Sequence, residues 1–430
     1  MDTIFALASA RGKAGVAVVR VSGPDAFAAM AQLSSVIPKP PDRKLMWLRS
    51  DSGEKLDQAL CLSFAEGHSF TGEPVVEFHL HGSVAVLKAV LEALSAVPGL
   101  RLAEPGEFTK RALLNNKLDL AQVEGLGDLI EAETEAQRKQ AQRVFSGALG
   151  HKIEQWRRDL IRAAALIEAV IDFADEEVPE DVSPEVQALL GKTTESLQIE
   201  ISGANAAERI RDGFEVAIIG NPNAGKSTLL NRMAGREAAL TSEIAGTTRD
   251  VVEVRMDLLG LPVTFLDTAG LRETDDPVEA MGVARARDRA RSADLRVILT
   301  EQGELPEGIA LEPQDIVVDG KADRFSGNNE YQVSGVTGQG VDRLTQAVAQ
   351  QLEAQASGAG LAIRTRHLNA MQGAVKGISA ALEKFAGPSG SEELIAQDIR
   401  EAVLKLDSVI GRVDVEHVLD EIFASFCLGK

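Results

Sequence analysis

Cysteine is nearly absent from this sequence. The 430 residues include only Cys61 and Cys427. Two cysteines this far apart are too few for a disulfide framework and do not suggest a paired metal motif. A reducing cytoplasmic location therefore fits best, and we interpret Cys61 as a core residue.

Long apolar runs are also missing. No uninterrupted stretch approaches the ~18–20 residues that are needed to cross a bilayer. The apolar stretch from Ile4 to Ala8 is shorter than the core of a signal peptide. We therefore expect a cytoplasmic protein without membrane insertion.

Excess positive charge is the third feature that the chain lacks. Its net charge is −20 at pH 7, so the average surface repels phosphate backbones and any nucleic-acid contact must use local basic patches. The chain is otherwise of ordinary globular composition, with 44% hydrophobic and 26% charged residues. At ~150 residues per domain, its length predicts two or three domains.

Three kinds of pattern follow one another along the chain. Up to about residue 118, short β-like runs and one amphipathic helix predict a small α+β domain. Apolar residues recurring every three or four positions then predict long helices, and the same pattern returns near the end of the chain. Between the two helical segments, from Phe214 to about Leu352, strands alternate with helical stretches. This alternation predicts an α/β domain with a parallel sheet, inserted into a helical domain.

A candidate phosphate-binding loop lies at residues 220–227, between a predicted strand and a predicted helix. In such a loop the backbone N–H groups close around phosphates, Lys226 reaches the β and γ phosphates, and the hydroxyl of Ser227 binds Mg²⁺. The nucleotide-binding residues expected here are Asn223, Ala224, Gly225, Lys226, Ser227 and Thr228.

Two later segments complete the phosphate side of the predicted site. Asp267 ends a predicted strand, where its carboxylate can hold Mg²⁺ through water. The segment 246–250 resembles a switch loop that the γ phosphate orders, with Thr248 as a further Mg²⁺ ligand. The remaining residues expected to contact the nucleotide in these segments are Thr247, Thr268, Ala269 and Gly270.

A base-recognition motif is present in altered form. Guanine-binding domains use Asn-Lys-x-Asp, and this chain has Gly320-Lys321-Ala322-Asp323. The carboxylate of Asp323 would still accept from guanine N1 and N2, whereas adenine has an acceptor at N1 and no 2-amino group. Loss of the Asn contact costs about 1–2 kcal/mol, so we expect guanine selectivity with weakened affinity.

Taken together, these motifs resemble one family closely, the tRNA modification GTPases called MnmE or TrmE. The resemblance rests on the phosphate loop, on residues 247–250 and 267–272, and on the terminal Phe426-Cys427-Leu428-Gly429-Lys430. It implies a multidomain α/β and α+β protein, in which a Ras-like P-loop GTPase domain with a mostly parallel sheet is inserted into a helical domain. The implied segments are a tetrahydrofolate-binding and dimerisation domain (1–117), the two halves of the helical domain (118–210 and 354–430) and the GTPase domain (211–353).

The resemblance also implies chemistry and partners. Family members form homodimers that join an FAD-dependent partner, MnmG, in a heterotetramer. Together they install an aminomethyl-type (carboxymethylaminomethyl) group at C5 of the wobble uridine of tRNA. The one-carbon donor is a tetrahydrofolate derivative, in the 5-formyl or 5,10-methylene form. The matching folate-binding residues are Arg20, Glu77, Lys117 and Lys430, with Cys427 as a candidate participant in the modification.

For GTP hydrolysis the resemblance implies an acid and a monovalent cation. Leu271 occupies the position where Ras-like enzymes have a water-orienting Gln. The family instead uses an acid matching Glu279, which acts through a bridging water. Its K⁺ ion binds when two GTPase domains face each other, and the matching ligands are Asn223, Ser242, Ile244 and Thr247.

Some interpretations stay open on the sequence. The acidic run from Asp172 to Asp181 reads as a solvated linker or as a partner-binding element. The arginines at 285, 287, 289 and 291 read as a solvated helix face or as a phosphate groove. His79 and His81 have the spacing of a zinc site but no evident third ligand. The competing functions are a regulatory GTPase switch, for example in ribosome assembly, and a free-standing folate aminomethyltransferase.

Overall fold

The computed structural model describes residues 2–172, 182–235, 253–267, 289–306, 309–385, 392–413, 422–423 and 429. The chain divides into two compact units. The first contains Met1–Gly127 and Asp407–Lys430, and the second contains Asp128–Leu406.

The first unit is built on a six-stranded sheet. Its elements in chain order are β1 (Thr3–Leu7), β2 (Ala14–Ser22), α1 (Ala26–Ser34), β3 (Asp42–Arg49), β4 (Lys55–Phe64), β5 (Val75–Gly82), α2 (Val84–Ser95), β6 (Leu100–Leu102) and α3 (Glu107–Leu114). The strand order is β3-β4-β5-β2-β1-β6, and every neighbouring pair is antiparallel except β1 with β6.

Alternation along β5 gives this sheet two different faces. Val76, Phe78 and Leu80 point into a core that α1 and α2 cover. Because side chains alternate between faces in a strand, Glu77 and His79 lie on the opposite face. That face carries the candidate folate residues of β2 and β5.

Helices dominate the chain after the first sheet. They are α4 (Leu120–Glu131), α5 (Glu135–Phe145), α6 (Ala148–Asp172), α7 (Ser183–Ser202) and α8 (Ala204–Asp212). In α6 the residues Leu149, Ile153 and Leu160 are completely buried, as the helical spacing of its apolar residues predicts. Trp156 on the same face donates from Nε1 to Ser196 Oγ of α7 at 2.9 Å.

The second unit contains a second six-stranded sheet. Its elements are β7 (Phe214–Gly220), α9 (Lys226–Ala234), β8 (Glu253–Leu258), β9 (Leu261–Asp267), β10 (Leu295–Thr300), β11 (Ile316–Asp319), β12 (Tyr331–Gln332) and α10 (Val341–Ala356). The order is β12-β11-β10-β7-β9-β8, parallel throughout except for the β8–β9 hairpin. The carboxyl ends of β7, β9 and β11 therefore share one edge, where ligands bind in open α/β sheets.

Two further helices follow, α11 (Thr365–Phe385) and α12 (Glu392–Val409). Their buried positions include Met371 and Ile378 in α11, and Ile395 and Ile399 in α12. The predicted fold class is confirmed. Along the chain, an α+β region with the first sheet is followed by helices. The mostly parallel second sheet then lies between the two helical segments.

Candidate functional site

Residues 221–225 join β7 to α9 in a tight loop. Asn223 has a left-handed backbone conformation, with φ of 64°, which asparagine adopts more readily than most residues. The N–H of Ala224 donates to the carbonyl of Asn221 at 3.1 Å. Since α9 begins directly after the loop, its first N–H groups and the positive end of its dipole are available for an anion.

Lys226 is the first residue of α9 and is only 5% exposed. Its Nζ donates to the carbonyl oxygens of Gly220 at 2.7 Å and Asn221 at 3.0 Å. Burial lowers the pKa of Lys226, and the nearby charge of Asp267 opposes that shift only in part. The ammonium group is thus tethered to the loop, where it can reach a bound phosphate.

Ser227 and Asp267 meet beside this loop. The strands β7 and β9 are parallel neighbours, with Ile218 opposite Asp267. The Oγ of Ser227 donates to Asp267 Oδ2 at 2.6 Å, and Asp267 is 2% exposed. A hydroxyl and a carboxylate are oxygen ligands of the kind that Mg²⁺ takes, so the two residues fit a magnesium site at the phosphate loop.

The base loop, residues 320–323, adjoins the phosphate loop. A cavity of about 180 Å³ is lined by Asn223 and Thr228 together with Lys321 and Asp323. The Oγ of Ser334 donates to Asp323 Oδ1 at 2.6 Å, and this bond lowers the pKa of the Asp323 carboxyl. An ionised hydrogen-bond acceptor is therefore held at the wall of the cavity.

Contacts around the base loop explain one departure from the usual motifs and add a contact to Lys321. Where related domains have Ser-Ala-Lys, this chain has Ser334-Gly335-Val336. A Cβ atom at position 335 would lie 2.7 Å from the backbone nitrogen of Leu229 in α9, so the close approach requires glycine. Lys321 donates from Nζ to Glu301 Oε1 at 2.8 Å, a contact that the sequence motifs do not reveal.

Arg20 and Glu77 form an ion pair on the face of the first sheet opposite α1 and α2. They are directly opposite each other in β2 and β5, and both Nε and Nη2 of Arg20 lie 2.9 Å from Glu77 Oε1. The guanidinium also lies 5.4 Å from the ring centroid of Phe70 and 5.6 Å from that of Phe108. Cation–π contacts at this distance hold the arginine in a defined orientation.

His79 lies near this ion pair, and Lys117 lies near the loop of residues 65–74 that contains Phe70. The Nε2 atom of His79 is 3.5 Å from Glu77 Oε2 and is buried without a hydrogen-bond partner. The Nζ of Lys117 donates to the carbonyl of Gly67 at 2.5 Å. Residues 65–74, which include Phe70, therefore connect the candidate folate residues Arg20 and Lys117.

Several predicted site residues lie outside the described residues, and the structure says nothing of them. They are Ser242, Ile244, Thr247, Thr248, Thr268, Ala269, Gly270, Glu279, Cys427 and Lys430.

The described residues also bear on the metal, thiol and membrane expectations. Within them no group of three or more His, Cys, Asp and Glu side chains could hold a metal ion. Cys61 is completely buried, which raises the pKa of its thiol to about 12 and confirms it as a core residue. Among the helices that the structure describes, none combines the length and apolar character needed to cross a membrane.

Comparison with known proteins covers almost the whole chain. Residues 3–117 match the family model of the GTP-binding protein TrmE N-terminus, and residues 120–427 match that of the MnmE helical domain. The tRNA modification GTPase MnmE of Dinoroseobacter shibae is 60% identical over 430 residues, and that of Cereibacter sphaeroides is 58% identical over 433 residues. Both alignments cover 100% of each chain.

Among solved structures, Aquifex aeolicus Era bound to GDP·AlF4⁻ is 25% identical and has a TM-score of 0.25. That match covers 38% of this chain and 66% of the Era chain. The two family models and the full-length relatives agree with each other. The chain belongs to the MnmE family of tRNA modification GTPases.

Proposed function

We propose that this protein hydrolyses GTP within a complex that modifies tRNA. Its family supports this function, and the nucleotide site supports it independently. The observation that carries the proposal is one cavity lined both by phosphate-loop residues and by the ionised Asp323. This lining suits a guanine nucleotide, because backbone and side-chain groups of the phosphate loop can bind phosphates and the carboxylate of Asp323 can accept from guanine.

The described residues would share the work of binding. Lys226 and the N–H groups at the start of α9 hold the phosphates. Asp323 accepts from N1 and N2 of guanine and would oppose the N1 acceptor of adenine. Mg²⁺, held by Ser227 with Thr248 and by Asp267 through water, would supply positive charge at the β and γ oxygens.

For the attack of water we propose Glu279 as the residue that orients the nucleophile, because Leu271 has no polar group to do so. Asn223, Ser242, Ile244 and Thr247 would bind K⁺, which supplies positive charge at the transition state. This cation site forms in a homodimer whose GTPase domains face each other. Equal hydrolysis rates in K⁺ and Na⁺ would argue against it.

A second proposed site binds a tetrahydrofolate derivative in the 5-formyl or 5,10-methylene form. Arg20, Glu77, Lys117 and Lys430 would bind it, with Cys427 beside it. A folate offers an amide-like pterin edge and carboxylates, which suit a mixed set of Arg, Glu and Lys side chains. The unpartnered Nε2 of His79 beside Glu77 fits a polar ligand there.

We further propose the division of labour that the family implies. Residues 1–117 bind folate and dimerise, residues 211–353 hydrolyse GTP, and the helical segments 118–210 and 354–430 connect them. With an FAD-dependent partner of the MnmG kind, the protein installs a carboxymethylaminomethyl group at C5 of the wobble uridine in the cytoplasm.

Two measurements test these proposals at different levels. Displacement of labelled GDP by unlabelled GDP and ADP tests the nucleotide site, and equal displacement contradicts guanine recognition. Mass spectrometry of wobble nucleosides, from cells lacking the gene with and without a plasmid copy, tests the modification. Unchanged nucleosides in the deletion strain would instead favour a GTPase switch in ribosome assembly.

A further inference from the structure

The carboxylate of Asp319, at the end of β11, is enclosed by hydrogen-bond donors. The residue is 3% exposed. Thr300 Oγ1 and Asn329 Nδ2 lie 2.6 Å and 2.8 Å from its Oδ1, and the N–H of Asn329 donates to Oδ2 at 2.8 Å. The N–H of Asn328 donates as well. We call Asp319, Thr300 and Asn329 the Asp319 cage.

The donors keep this buried carboxyl ionised. Burial raises the pKa of Asp319, but the bonds from Thr300 and Asn329 outweigh it, and the pKa is lowered overall. An ionised carboxylate that lost its donors at a buried position would be strongly destabilised. The chain segments that supply the donors are therefore fixed around it.

The cage closes the segment that contains the base loop. Asp319 immediately precedes residues 320–323, and Asn329 returns to it after the loop. Two backbone bonds extend the closure: Val333 N–H donates to Asp319 O at 2.8 Å, and Ala322 N–H donates to Val333 O at 3.0 Å. The next residue, Ser334, holds Asp323. A continuous set of contacts thus runs from the cage to the base-reading carboxylate.

The phosphate loop and Leu299 of β10 leave little room for the side chain that the usual motif would place at position 320. A Cβ atom on Gly320 would lie 3.1 Å from the carbonyl oxygen of Ala224 and 3.2 Å from Leu299. Base loop and phosphate loop approach each other through backbone here, without a bridging Asn. Another contact must fix the position of the base loop.

We propose that the Asp319 cage takes over this task, so that Thr300 and Asn329 are positioning residues for guanine recognition through Asp323. The inference rests on the proposed function, because it takes a guanine nucleotide as the ligand. Loss of one donor lets the base loop populate other conformations. The apparent Kd for the guanine nucleotide then equals the intrinsic Kd divided by the fraction of protein molecules whose base loop is in the binding conformation. Phosphate binding and the hydrolytic step, which use other residues, are unaffected.

The neighbouring asparagines provide a matched pair of variants. Asn329→Ala removes the side-chain donor, whereas Asn328→Ala removes an exposed side chain and keeps the backbone donor. We expect Asn329→Ala to raise the Kd for GDP and the KM for GTP about five- to tenfold at unchanged kcat. Asn328→Ala should stay within about twofold of the unsubstituted protein. Equal values for the two variants would overturn the inference.

A second pair covers the case in which Asn329→Ala does not fold. Thr300→Val removes the hydroxyl at nearly constant volume, and Thr300→Ser restores it. Serine should recover most of the GDP affinity that valine loses, and equally weak binding by both contradicts the cage. The ratio of GDP to ADP affinity should fall in the valine variant, whereas a general loss of structure lowers both affinities alike. If the unsubstituted protein itself binds GDP and ADP equally, the proposed function fails rather than the cage.

Discussion

In the proposed nucleotide site, base selection depends on one carboxylate, that of Asp323. The hydroxyl of Ser334 donates to one of its oxygens, 2.6 Å away, and the pKa of the carboxyl is lowered. The side chain is therefore an acceptor throughout the physiological pH range. Its amide analogue would present a donor as well as an acceptor.

We accordingly expect Asp323→Asn to exchange guanine for xanthine recognition. The amide can donate to the oxygen at C2 of xanthine, whereas it loses the ionic acceptor for guanine N1 and N2. GDP affinity should fall roughly tenfold or more, and XDP affinity should rise. Competition of both nucleotides against a labelled analogue measures this, with Asn328→Ala as the control. If Asp323→Asn still prefers GDP to XDP as strongly as the unsubstituted protein does, Asp323 does not recognise the base.

If Lys226 binds phosphate as proposed, we expect nucleotide binding to depend on pH. Its pKa in the free protein lies below the usual 10.5 because the side chain is buried, and bound phosphate favours the charged form. Affinity should therefore be constant below the free-protein pKa and fall as the pH rises through it, earlier than for an ordinary lysine. Titration of GDP binding between neutral and alkaline pH measures the fall. The control is Lys226→Arg, whose guanidinium stays charged over this pH range. A fall in GDP affinity that persists in this variant is caused by titration of the guanine base and not of residue 226.

At the scale of elements, α5 shows how a local sequence signal and tertiary contacts combine. Thr134 and Gln137 form a capping box at its start. The same Gln137 donates from Nε2 to the carbonyl of Arg211 at 2.8 Å, and Gln140 donates to that of Gly360 at 3.0 Å. The helix thus binds the segments on either side of residues 214–356.

Removal of the cap should destabilise the second unit. Thr134 is 4% exposed and its Oγ1 accepts from Gln137 N, so Thr134→Ala should lower the free energy of unfolding by about 1 kcal/mol. Urea unfolding followed by circular dichroism measures the change. Thr134→Ser retains the hydroxyl and should lie within a few tenths of a kcal/mol of the unsubstituted protein. Equal losses in the two variants would show that the methyl group, and not the cap, matters.

Strands and helices were largely predictable from periodicity. The strand predicted before the phosphate loop is β7, and the apolar residues that recur every three or four positions after the first domain lie in helices such as α6. Both signals are local, because each element buries one face or one run of residues. The strand order β12-β11-β10-β7-β9-β8 could not be predicted from such local patterns, because strand pairing joins segments that are far apart in sequence.

At the scale of the whole molecule, charge limits how tRNA can be bound. With a net charge of −20, long-range repulsion opposes the approach of a polyanion. We infer that a partner holds most of the tRNA, while this chain contributes local contacts, folate and nucleotide.

The isolated protein should therefore bind tRNA weakly at physiological salt. Filter binding with and without the flavoprotein partner measures this, and the partner should raise the affinity by at least about tenfold. A salt series for the complex should show affinity falling with ionic strength, as phosphate contacts require. Tight binding by the isolated chain at ~0.15 M salt would refute the division of labour.

The sequence by itself determined the motifs, the alternation of elements and the family, because each depends on residues close together in the chain. It identified Lys226, Ser227, Asp267 and Asp323 as candidate nucleotide ligands. Only the tertiary structure revealed that Glu301 holds Lys321, that Phe70 and Phe108 flank Arg20, and that Thr300 and Asn329 enclose Asp319. These contacts join strands and loops that are distant in sequence, and a buried charge finds its donors only after the chain has folded around it.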